Sequence, residues 1–144
     1  MRILVVEDNR VNQHLILALL RKRGHTTEVA GNGVEALAAI ERGSFDLVLM
    51  DIQMPEMDGL EAVRRIRKAE AITGMHLPVV AMTARAMAGD REAILAAGMD
   101  DYLEKPVQLE RLDAVLRRAS SARPPHPSAG AILGEPPTLG EARP

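Results

Sequence analysis

Short apolar blocks alternate along this chain with longer stretches of helical periodicity. The blocks lie at residues 3–6 (ILVV), 26–30 (TTEVA), 46–50 (DLVLM) and 78–82 (PVVAM), with a fifth around Tyr102 and Leu103. The stretches between them predict helices over 10–23, 34–42, 60–69, 90–97 and 107–119. In the first of these, Val11, Leu15 and Leu19 recur at i, i+4 spacing. Gly24, Gly43 and Gly98 supply stops. The first, third and fourth blocks are apolar almost throughout, as in parallel strands covered by helices on both faces. The pattern is therefore strand–helix repeated five times, an α/β fold of (βα)5 type with right-handed crossovers.

Composition changes after Ser120. Six of the nine prolines and three glycines fall in residues 121–144, so nine of those 24 positions are Pro or Gly. Such a segment buries too little apolar surface to offset its ordering entropy. The expected organisation is one domain over 1–120 and a disordered tail or linker over 121–144. Hydrophobic residues make up 47% of the chain and aromatics only 1%, so the core must be aliphatic and Tyr102 stands out. The net charge of −2 gives no bulk attraction for nucleic acid. With no cysteine there is no disulfide, thiolate metal site or cysteine nucleophile, which fits a reducing compartment. No apolar run approaches the roughly 18 residues of a membrane span, and the start has no signal-peptide core. These features predict a soluble, cytoplasmic protein without membrane contact.

The conspicuous polar residues sit where the strands end. Glu7 and Asp8 follow the first block, Asp51 the third, Thr83 the fourth, and Lys105 the fifth. In an open parallel sheet, the crevice outside the carboxyl ends of the strands is where ligands bind. Three carboxylates, a hydroxyl and an ammonium meeting there suit a divalent cation and a phosphoryl group. Asp51 is the candidate nucleophile, since a carboxylate can accept a phosphoryl group as a mixed anhydride. Glu7 and Asp8 complete a hard oxygen cluster for Mg²⁺, which takes one or two carboxylates plus waters and phosphate oxygens. Mn²⁺ is the substitute. Lys105 supplies a point charge for phosphate oxygens, Thr83 a hydroxyl, and the small Ala84 leaves room beside them. Taken singly, each also has a plain structural role: Asp8 or Asn9 as the cap of the first helix, Thr83 as a cap of the fourth, Asp51 and Lys105 as strand-end charges.

Pro55 and Gly59 shape the loop beside Asp51, and Lys105–Pro106 is the candidate for a cis peptide bond. His14, His25, His76 and His126 have no metal-ligand spacing and read as surface or structural. The sequence GNG at 31–33 reads as a turn rather than a phosphate loop.

The segments VVEDN at 5–9, LVLMDIQMPEMDG at 47–59, VVAMTA at 79–84 and DDYLEKP at 100–106 together resemble the receiver domain of two-component response regulators. The resemblance covers about residues 1–119. The stretches VEDNRVNQ and AMAGDREAILAAGMDDYLEKP are most similar to receivers attached to hybrid sensor histidine kinases. It implies a flavodoxin-like, doubly wound sheet with strand order 2-1-3-4-5. It implies Asp51 as phosphoacceptor, with Mg²⁺ held by Asp8, Asp51 and the backbone carbonyl of Gln53, and Glu7 acting mainly through water. Lys105 would pair with the phosphoryl group, before a cis bond to Pro106. Thr83 and Tyr102 would form the switch, moving a face made of the fourth helix, fifth strand and fifth helix. The donor would be a phosphohistidine on a histidine kinase or phosphotransfer domain. Its docking edge would be Val11, Leu15 and Ala18 of the first helix, with Pro106 nearby, although periodicity alone also permits Leu15 as core. A phosphorylation-dependent dimer is a further partner of this class. Gln53 and Arg85 occupy positions that tune dephosphorylation in the family. Such a domain is not an enzyme beyond catalysing its own phosphorylation and dephosphorylation. An aspartate-nucleophile phosphatase is the weaker alternative, because Gln53 stands where those enzymes carry a second Asp. A non-phosphorylated interaction module on the same fold would be expected to have lost Asp8, Asp51 or Lys105.

Overall fold

A computed structural model of the protein describes residues 1–54, 56–84 and 87–122. The elements run β1 (Arg2–Val6), α1 (Arg10–Lys22), β2 (Thr26–Ala30), α2 (Gly33–Arg42), β3 (Leu47–Asp51), α3 (Gly59–Thr73), β4 (Val79–Thr83), α4 (Ala88–Ala97), β5 (Asp101–Glu104) and α5 (Leu109–Ala122). All neighbouring strands pair in parallel, in the order β2-β1-β3-β4-β5. This is the doubly wound, flavodoxin-like order. Pro55, Arg85 and residues 123–144 lie outside the described residues, and with them the expectations about the loop proline, the dephosphorylation position and most of the tail.

Strand side chains alternate between two aliphatic cores. Leu4, Val6, Val48, Met50, Val79 and Ala81 face α2, α3 and α4. Ile3, Val5, Leu47, Leu49, Val80 and Met82 face α1 and α5. Every residue of β3 and β4 is buried, which is why these blocks carry no alternation.

Several boundaries differ from the sequence reading. β3 and β4 each sit one residue later, so Asp51 and Thr83 are the last residues of their strands. Asp46 instead ties the sheet's lower corner: its N–H donates to Arg2 O at 2.8 Å and its Oδ2 accepts from Arg2 N at 2.7 Å. Pro78, lacking an N–H, precedes β4 and accepts from Val48 N through its carbonyl. α3 runs on to Thr73 because its stop is Gly74, in the left-handed region at φ 78°. α5 begins at Leu109, two residues after the expected Val107.

α1 is rotated relative to the expected stripe. It buries Ile16, Leu17 and Leu20, while Val11 and Leu15 are 76% and 46% exposed. Turning it the other way would expose three large side chains, each contributing about 2 kcal/mol by burial. Leu15 is thus not a core residue. Asn9, not Asp8, caps α1, its Oδ1 accepting from Asn12 N at 3.0 Å. Asn32 caps α2 in the same way and Gly31 N–H is held by Glu35, so the GNG segment is a turn and cap.

Candidate functional site

The ends of β1, β3, β4 and β5 meet at one edge of the sheet. Past β1 the backbone turns away after Glu7 N–H donates to Ala30 O at 3.1 Å. Glu7 is wholly buried and Asp8 exposed, because the turn sends one side chain under the crevice and leaves the other at its mouth. Asp51, the last residue of β3, is 3% exposed. Carboxylate oxygens of Glu7, Asp8 and Asp51 all lie within 4.8 Å of one another.

Lys105 reaches into this cluster from the end of β5. Its Nζ stands 2.9 Å from Asp51 Oδ2 and 2.9 Å from Glu7 Oε1. The backbone holds it there: Lys105 N–H donates to Thr83 O at 2.7 Å, and the Lys105–Pro106 bond is cis. Gln53 N–H donates to Asp51 Oδ1 at 3.0 Å, folding residue 53 against the carboxylate. Gly59 closes the loop behind it. Its N–H donates to Ile52 O, and a Cβ there would stand 2.4 Å from Asp51 O, so only glycine fits.

The electrostatics follow from burial. Desolvation raises the Glu7 carboxyl above its usual 4.5, against the opposing pull of Lys105 and the Asn9 N–H, and Asp51 adds to the rise. Desolvation lowers Lys105, but its bonds to Asp51 and Glu7 outweigh that and leave it above 10.5. The ammonium therefore stays charged and partly neutralises the carboxylates. Among the described residues, Glu7 Oε1 has this one ion pair and no hydrogen-bond geometry to a donor. A clustered set of hard oxygens, one of them buried and lacking a hydrogen bond, fits a divalent cation.

Thr83 is buried at the end of β4. Tyr102 is half-buried on β5, packed against the α2–α4 core with Arg91 over its ring at 5.8 Å. Val11, Leu15 and Ala18 are exposed along one edge of α1, and Pro106 is exposed too. Sequence reasoning missed two supports. Gln13 donates from its side chain to Glu7 O, and Asn9 N–H donates to Glu7 Oε2 at 3.2 Å. Both residues lie in the VEDNRVNQ stretch, but no periodicity marks their aim. His76 is structural, its Nε2 lying 2.6 Å from Asp100 Oδ1. An apolar groove of about 730 Å³ opens between α2 and α3. It lies at the opposite end of the sheet and holds none of the acidic cluster.

The family model of the response regulator receiver domain matches residues 3–117. The sensor histidine kinase GacS of Pseudomonas protegens is 47% identical over 116 residues, covering 80% of this chain. The chain spans only 13% of that kinase's length. Among solved structures, the receiver domain of a Pseudomonas aeruginosa sensor histidine kinase has a TM-score of 0.76 and 42% identity, covering 84% of this chain and 98% of its own. That receiver holds a magnesium ion in its active-site cleft. A co-crystal of the Saccharomyces cerevisiae phosphotransfer protein Ypd1 with the receiver domain of its response regulator Ssk1 matches at TM-score 0.76 and 36% identity, covering 78% of this chain and 83% of the matched one. The chain belongs to the response regulator receiver domain family. No described helix is long and apolar enough to cross a membrane.

Proposed function

We propose that this domain takes a phosphoryl group from a phosphohistidine onto Asp51, as one step of a phosphorelay. The observation that carries the reading is the meeting of Glu7, Asp8 and Asp51 within 4.8 Å, with Lys105 Nζ 2.9 Å from two of them. In the transfer, an Asp51 oxygen attacks phosphorus in line, the N–P bond breaks and the neutral imidazole leaves once protonated. The phosphoryl group then sits on Asp51 as a mixed anhydride. Positioning and charge supply most of the catalysis.

Glu7, Asp8 and Asp51, with the carbonyl of Gln53, would hold Mg²⁺, and Mn²⁺ shares the same oxygen preference. When bound, the ion neutralises the approaching anions and the charge developing on the equatorial oxygens. Lys105 exchanges its bond to Asp51 for one to a phosphoryl oxygen. Thr83 donates its hydroxyl to another, and Tyr102 moves into the space behind it. The added charge and acceptors then bias α4, β5 and α5. The donor domain docks on Val11, Leu15 and Ala18 together with Pro106, a reading supported by their exposure on the helix that follows Asp8 and on the residue that follows Lys105. A histidine kinase forms its phosphohistidine from ATP, which supports a cytoplasmic location for this step.

Intact-mass spectrometry after incubation with acetyl phosphate tests this. The expected result is a Mg²⁺-dependent gain of one phosphoryl group in the wild type and none in Asp51→Asn. A gain retained by Asp51→Asn would remove Asp51 from the centre. No gain from either acetyl phosphate or a phosphorylated histidine phosphotransfer domain would overturn the whole reading.

A further inference from the structure

α4 is held very differently at its two ends. At the N-terminal end, the cap residue Met87 makes no side-chain bond to the helix and is 64% exposed. Residues 89–93 are all exposed. At the C-terminal end Ile94, Ala97 and Met99 are buried. Gly98 adopts the left-handed region at φ 113°, its N–H directed at Ile94 O and Leu95 O, and Met99 N–H returns to Ile94 O.

Arg67 on α3 locks this second end. Its Nε donates to Gly98 O at 2.9 Å, its Nη1 to Leu77 O at 2.8 Å and to Glu70 at 2.7 Å, and its Nη2 to Asp100 Oδ2 at 2.7 Å. Asp100 Oδ2 also accepts from Val79 N at 2.8 Å, and His76 holds the other oxygen. One guanidinium, only 18% exposed, thus joins α3, the start of β4, the cap of α4 and the start of β5. Four charge-assisted bonds at such lengths form a stiff junction. A Cβ on Gly98 would lie 2.8 Å from Arg67 Cγ, so helix cap and arginine are in direct contact.

We propose that Arg67 is a positioning residue that pins the C-terminal end of α4. The response to phosphorylation is then a tilt of α4 about Gly98, not a displacement of the whole helix. This rests on Asp51 being the phosphoacceptor and adds where the motion stops. The exposed N-terminal half is the moving arm. Its link to the switch is Arg91, which lies over the ring of Tyr102. The junction at Gly98, Leu77 and Asp100 is the fixed end, so partners reading the activated state would meet the first half of α4.

Amide NMR of the full chain with Mg²⁺, before and after adding beryllofluoride as a phosphoryl mimic, tests this. In the wild type, the resonances of Asp51 and of residues 89–93 should shift, while those of 97–100 hold. In Arg67→Gln and in the milder Arg67→Lys, residues 97–100 should shift as well, with the Asp51 response unchanged. The wild-type pattern decides the matter even if Arg67→Gln does not fold. Equal shifts along all of α4 in the wild type, or the wild-type pattern persisting in Arg67→Lys, would overturn the pivot alone. Silence at Asp51 would overturn the phosphoacceptor reading and the pivot with it.

Discussion

Lys105 Nζ lies 2.9 Å from Oε1 of Glu7, a carboxylate with no exposed surface. The same ammonium is 2.9 Å from Asp51. It is the counter-charge that keeps two buried carboxylates together when no cation is bound.

Lys105→Ala should therefore destabilise the metal-free protein by about 2 kcal/mol, less than a fully buried pair because the lysine is partly exposed. Mg²⁺ should restore most of that loss, since it supplies the missing charge. Urea unfolding with Mg²⁺ and with a chelator checks this. An equal loss in both would show that Lys105 acts through packing instead.

Thr83→Ala should still gain a phosphoryl group, but move Tyr102 less completely. Losing one hydroxyl hydrogen bond changes the switch equilibrium by about 1 kcal/mol, roughly fivefold. The chain has one tyrosine and no tryptophan, so its ultraviolet fluorescence reports Tyr102 alone. A full fluorescence change in phosphorylated Thr83→Ala would remove Thr83 from the switch.

Gly59→Ala places a methyl group 2.4 Å from Asp51 O. The loop must shift, at a cost of about 1–3 kcal/mol. Phosphoryl uptake should fall along with stability, because the displaced carbonyl belongs to Asp51, the proposed phosphoacceptor. Thermal unfolding and acetyl phosphate labelling would be measured together, and normal labelling of a destabilised variant would separate the two effects.

Two acidic groups should give opposite pH slopes. Arg23 hydrogen-bonds Asp113 and holds its carboxyl below the usual 3.8. A depressed carboxylate contributes stability above its unfolded value and loses it as the pH falls through the folded one. The gap between wild type and Asp113→Asn should thus be complete at neutral pH and close below 3.8. Glu7, raised above 4.5, contributes in the reverse sense: its share is present below 4.5 and lost as pH rises through its folded value. Urea midpoints across this range, in chelator, would decide both. A gap for Asp113→Asn that is constant with pH would show that packing, not charge, is at stake.

Val11→Asp should slow phosphotransfer from a protein donor while leaving acetyl phosphate labelling intact. Val11 is 76% exposed, so the fold should tolerate the change. Unaltered transfer from the cognate donor would move the docking surface elsewhere.

Much of this was legible from the chain because a parallel sheet puts its chemistry at strand ends. Asp51, Thr83 and Lys105 each close an apolar block, and the cluster followed. The rotation of α1 was not legible in the periodicity, although the family resemblance put Val11 and Leu15 on an outward edge. Val11, Leu15 and Leu19 share one helical spacing and Ile16, Leu17 and Leu20 another, and only contact with the sheet decides between them. The limits of α3 and α5 depended on which glycine or loop ended the run. Arg67 was hidden for a different reason. Its partners Gly98 and Leu77 bond through backbone carbonyls, which leave no trace in the type of residue.

The sequence distance between Asp51 and Lys105 is 54 residues, and Glu7 stands 44 before Asp51. Contacts so far apart close late, after the loops between them have paid their entropy. A growing chain holds Glu7, Asp8 and Asp51 long before Lys105 emerges, and β5 cannot dock until then. The charge pattern of the crevice is thus completed only when β5 is in place, and a copy folded without β5 would lack the ammonium that holds Glu7 and Asp51 together.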